Sequence, residues 1–111
     1  MTLSQKSLKK RAETITNLLK NIGYKVSLPK DNETCIDFII EYNNSTFSVI
    51  LYQPKYSNSI IGKITKSYTD CESSLYNTNG LFIIEDNENE FANKTIDKIK
   101  FIDKIKFNFE I

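Results

Sequence analysis

Apolar residues recur along this chain with two different periods, and the switches between them mark out its elements. Leu8, Ala12, Ile15, Leu19 and Ile22 are spaced four, three, four and three, which predicts a helix over residues 4–21 stopped by Gly23. Lys6, Lys9, Lys10, Glu13, Asn17 and Lys20 fall on its other side, the ordinary solvated face of a surface helix. Tyr24, Val26 and Leu28 then alternate with Lys25 and Ser27, so a short strand follows, ended by Pro29. Residues 30–34 are polar and read as a loop. Two strongly apolar runs, 35–42 and 47–53, flank an Asn-Asn-Ser turn and predict a β-hairpin covered on both faces. From Ser57 the spacing of Ile60, Ile61, Ile64, Tyr68, Cys71 and Leu75 turns helical, predicting a second helix over 58–76 that Asn79 and Gly80 terminate. Residues 81–84 are a continuous apolar run, the mark of a buried parallel strand reached by a helical crossover. Phe91, Ala92, Ile96 and Ile99 predict a shorter third helix. The tail alternates Ile105, Phe107, Phe109 and Ile111 with Lys104, Lys106, Asn108 and Glu110, which reads as a half-exposed edge strand.

The resulting order, α-β-β-β-α-β-α-β, predicts an α/β fold: a three-layer sandwich around a mixed central sheet, built as one domain over residues 1–111. The hairpin is its centre, because an isolated hairpin is only marginally stable in water and needs the flanking helices to cover it.

Charge and cysteine content narrow the classes. Fifteen Lys and Arg against fourteen Asp and Glu leave a net charge of +1, so no global basic field advertises nucleic acid. Lys6, Lys9, Lys10 and Arg11 form the densest local cluster. With no histidine and no CxxC spacing, a zinc site is not expected, and Cys35 and Cys71 read as buried reduced thiols suited to an intracellular compartment. No apolar run approaches the roughly 18 residues that a membrane span needs, and the first residues lack an apolar leader core, so a cytoplasmic protein without a membrane partner is expected.

Three polar residues in the hairpin stand out, since burying unpaired charge is costly. They are Asp37 in the first run and Gln53 and Lys55 at the end of the second. Their ordinary readings are a structural carboxylate, an amide satisfied by backbone, and a lysine that snorkels from a strand end. Asp31 reads as a turn residue that offers a substitute acid. Tyr52 and Tyr56 are the two aromatics beside this group.

With Lys10-Arg11-Ala12-Glu13, Ile22-Gly23-Tyr24-Lys25-Val26, Asp37 opening an apolar strand and Gln53-Pro54-Lys55 closing the next, the chain resembles the restriction-endonuclease-like superfamily, the PD-(D/E)xK nucleases. Within it the likeness is nearest to archaeal Holliday junction resolvases, over residues 6–85 in element order. The resemblance implies metal-dependent phosphodiester hydrolysis of DNA, with Asp37 and Gln53 holding Mg²⁺ or Mn²⁺, Lys55 polarising the attacking water, and Glu13 as the helix glutamate. It further implies phosphate contacts from Lys9, Lys10, Arg11, Lys63 and Lys66, and a homodimer that cuts two strands. Gln53 replaces an anion by a neutral oxygen, so a catalytically inactive copy of the fold, binding DNA or protein, is the alternative. Register discriminates between them. A three-residue turn over 43–45 sets Asp37 opposite Leu51 on the face of Gln53 and Lys55, while a two-residue turn over 44–45 throws them apart.

Overall fold

Ser7 opens the first element by accepting a hydrogen bond from the Lys10 amide, and α1 runs over Leu8–Asn21. It ends in a Schellman arrangement, in which Gly23 at φ +104° lets the Tyr24 amide reach Leu19 O and its own amide reach Lys20 O. These contacts come from a computed structural model that describes residues 7–32, 35–66 and 80–109.

The strands are β1 (Lys25–Val26), β2 (Lys30–Asp31), β3 (Ile36–Tyr42), β4 (Ser45–Tyr52), β5 (Ile60–Lys66) and β6 (Leu81–Glu85), and the last helix is α2 (Glu88–Phe109). The sheet order is β1-β3-β4-β5-β6, with β2 also on β3, and every pairing is antiparallel. Helices α1 and α2 lie on one face. Ala12, Ile15 and Leu19 of α1 and Phe91, Ile96 and Ile99 of α2 meet the inward residues of the central strands in one apolar core. On the other face Cys35, Asp37, Ser48, Ile50, Lys63 and Thr65 are buried too.

The antiparallel α/β architecture corrects several expectations. The sheet is not mixed, because β6 pairs antiparallel with β5. Residues 60–66 form β5 and not the start of a helix. The cause is an ambiguity of period: Ile60 and Ile64 are four apart, which satisfies a helical stripe and a strand face alike, and pairing with both β4 and β6 decides the matter. The rest of that expected helix, with Tyr68, Cys71, Leu75 and Asn79, lies outside the described residues, so a third layer formed by it is not described. Residues 30–34 are not wholly loop, since Lys30 and Asp31 add to the edge of β3. The tail is not a strand through residue 109: Ile99, Ile102 and Asp103 carry the helical stripe into the alternating segment, and neither Gly nor Pro interrupts it. Cys35 is disulfide-bonded and not a reduced thiol, which takes away the footing of the intracellular expectation; Cys71 lies outside the described residues. Spacing along a chain does not reveal which cysteines come within bonding distance. Among the described residues no helix is long and apolar enough to cross a membrane.

One close approach sets the seating of α2. Phe91 is fully buried, and its ring lies over Gly62, where an added Cβ would run into the ring, with Cε2 at 2.8 Å. Gly62→Ala is therefore expected to destabilise the protein by about 1–3 kcal/mol, read as a lowered urea midpoint at unchanged slope.

Candidate functional site

The turn between β3 and β4 decides how the predicted polar residues are distributed. Asn43 and Asn44 have φ of 51° and 64°, both in the left-handed region that asparagine tolerates, and together they make a two-residue turn that pairs Tyr42 with Ser45. Asp37 therefore stands opposite Ile50, on the face that Tyr52 shares, and Leu51 points to the helices. The register runs Lys30, Asp37, Ile50, Lys63, Phe82 across the sheet. Asp37 is 5% exposed and its Oδ2 accepts a hydrogen bond of 3.0 Å from Asn32 Nδ2. Lys63 lies two strands away, roughly 10 Å between backbones, with its ammonium 5.7 Å from the centroid of the Phe82 ring.

Gln53 and Lys55 do not join this row. Gln53 follows the parity of Leu51 as the chain leaves β4, and its Nε2 donates to Ser57 O at 3.2 Å within its own loop. Its Oε1 is the one buried side-chain oxygen or nitrogen among the described residues without a hydrogen-bond partner. Lys55 is exposed, and Tyr56 beside it is 99% exposed with φ 63°. Tyr52, by contrast, packs on Cys35 and Ile50. Glu13 is exposed on α1, and Asp31 is exposed on β2. A Mg²⁺ or Mn²⁺ ion takes several hard oxygen donors, at least one or two of them carboxylates. Asp37 has an isoleucine across from it and the amide oxygen of Gln53 leaves by the other parity, so this donor set does not fit such an ion. Among the described residues no three acidic, cysteine or histidine side chains gather as a metal group.

The predicted phosphate contacts also separate. Lys9 and Lys10 are exposed on α1. Lys66 is half-buried at the end of β5, and Lys63 is 2% exposed on the same strand, so neither belongs to a helix surface. Arg11 is 2% exposed and structural. Its Nε donates to Glu88 at 2.8 Å, one terminal nitrogen donates to Asn58 O at 2.6 Å, and the other to Asp86 O at 2.8 Å. The planar fork thus joins α1 to the β4–β5 loop and to the turn before α2, which itself is capped by Asn87 Oδ1 on the Glu90 amide.

A surface that the sequence pattern did not single out lies at the β6 end of the sheet. Phe82, Ile84 and Phe101 are 58%, 63% and 53% exposed. They border a groove of about 460 Å³ between β6 and α2, whose helical side carries Lys94, Asp97 and Lys98. Lys94 donates to Glu85, and that hydrogen bond raises the pKa of its ammonium above the ordinary value. Four consecutive apolar residues are the signal: they read as a strand buried on both faces, whereas on a terminal strand they leave two side chains in water. No family model, characterised protein or solved structure matches the chain.

Replacing Arg11 tests its structural role. Arg11→Ala is expected to destabilise the fold by about 3–5 kcal/mol, because it removes the buried guanidinium that donates to Glu88 and to two carbonyls. Arg11→Lys should recover only part of this, since an ammonium cannot span three divergent acceptors. Thermal melts of both variants check the order.

Proposed function

We propose that the chain is a non-catalytic interaction module that engages protein through the outer edge of β6 and the flank of α2. The observation that carries this reading is the solvent exposure of Phe82, Ile84 and Phe101 around one groove. Single exposed apolar residues are ordinary, but several together on a terminal strand and the helix beside it are a feature of contact surfaces.

The hairpin supports the same reading. By the resemblance to restriction-endonuclease-like nucleases, Asp37 on β3 stands for the strand aspartate of such an enzyme. Across from it stands Ile50, which offers no oxygen to a cation. Descent from a nuclease with loss of the metal site accounts for both. The basic side favours protein over DNA as well, because Arg11 and Lys63 are buried and, among the described residues, the exposed part of the α1 cluster is Lys9 and Lys10.

Incubation with supercoiled, linear and branched DNA in Mg²⁺ or Mn²⁺ is expected to give neither cleavage nor salt-sensitive binding. Cleavage that disappears in Lys55→Ala would overturn the reading in favour of metal-assisted hydrolysis.

A further inference from the structure

The two edges of the sheet are finished differently. At the β3 edge the outer strands are two residues long each, broken by Pro29 and carrying Lys25, Lys30 and Asp31. Short strands, proline and charge are the devices that keep an edge from pairing with another chain. The β6 edge has no proline and one charge, Glu85 at its end: Leu81, Phe82, Ile83 and Ile84 are consecutive, and β5 is the one strand paired with β6 among the described residues.

We infer that the occupant of this edge is a second copy of the chain, paired antiparallel through β6 about a two-fold axis at Ile83. This deepens, and rests on, the protein-contact reading of the same surface. The argument is the palindrome in the groove. An axis at Ile83 sets Phe82 of each copy opposite Ile84 of the other, twice, on the exposed face. An aromatic residue against a β-branched one is a favourable cross-strand pair. Leu81 comes opposite Glu85, whose carboxylate keeps its hydrogen bond from Lys94.

The helical side has the same symmetry. The groove is lined by Phe82, Ile83 and Ile84 on the strand, centred on Ile83, and by Lys94, Asp97, Lys98 and Phe101 on α2, centred between Asp97 and Lys98. A two-fold axis through both centres lays the two α2 flanks antiparallel. Asp97 of each copy then faces Lys98 of the other, and the stem of Lys94 meets the Phe101 ring. A strand from an unrelated protein has no need of residues that complement themselves about one point, whereas an isologous interface requires it.

The test is sedimentation velocity on the full chain over a hundredfold range of concentration. The expected result is a reversible monomer–dimer equilibrium. Ile84→Lys, at a position 63% exposed, should hold the protein monomeric with its circular dichroism spectrum unchanged. Asp97→Lys alone and Lys98→Asp alone should each weaken the dimer by roughly tenfold, by setting like charges across the axis twice. The two changes in one chain should restore it. A monomer at every concentration overturns the inference and leaves the edge to a different protein. So does a dimer indifferent to Ile84→Lys, or one that the double charge swap fails to restore. DNA cleavage by a protein that still dimerises in this manner would instead sink the non-catalytic reading and leave the dimer standing.

Discussion

Side chains alternate along a strand, so the number of residues in the turn joining β3 and β4 decides what every side chain of the hairpin meets. Two asparagines with positive φ make that number two. Phe38, Ile40, Phe47, Val49 and Leu51 are thereby sent together into the core under the helices. The same parity puts Asp37 and Ile50 on the far face and fixes which residues of β5 join them, since β5 takes its register from β4. A turn longer by one would exchange the two faces of one strand, turning Ser48 and Ile50 toward the helices in place of Phe47 and Val49. The turn is also anchored: Asn43 Nδ2 donates to Asp103 of α2 at 3.0 Å, so the hairpin tip and the helix hold each other in place.

The polar groups of the core are arranged to satisfy one another more than to meet a ligand. Arg11 uses all three nitrogens on one carboxylate and two carbonyls, at the point where α1, the β4–β5 loop and the start of α2 converge. A buried cation is tolerable only when so engaged. The nearby loop follows the same logic, with Ser57 Oγ accepting from the Ser59 amide and Ser59 Oγ donating to Asp86.

Much of this was legible in the sequence, in proportion to how local the determining physics is. The stripe from Leu8 to Ile22 and the stop at Gly23 gave α1, since both act within a few residues. The hairpin was legible from its two apolar runs, but its register was not, because Asn-Asn-Ser admits turns of either parity and only pairing selects one. β5 was hidden by a spacing that serves two periods, and β6 by an apolar run that looks the same at the centre of a sheet and at its rim. The candidate site suffered most. Arg11 shares its sequence neighbourhood with Lys9 and Lys10 and differs from them only in pointing inward, which depends on Glu88, seventy-seven residues away.

That separation bears on the order in which the molecule can be assembled during synthesis. Arg11 is made early, whereas its acceptors at Asn58, Asp86 and Glu88 leave the ribosome much later. Until the turn before α2 emerges, the guanidinium on α1 lacks its partners there, and the entropy of closing so long a loop opposes any early capture. The meander from β3 to β5 pairs between neighbours and can form as it appears. Closure of the domain then waits on the last quarter of the chain, when Arg11 gains Asp86 and Glu88 beside the Asn58 carbonyl made earlier.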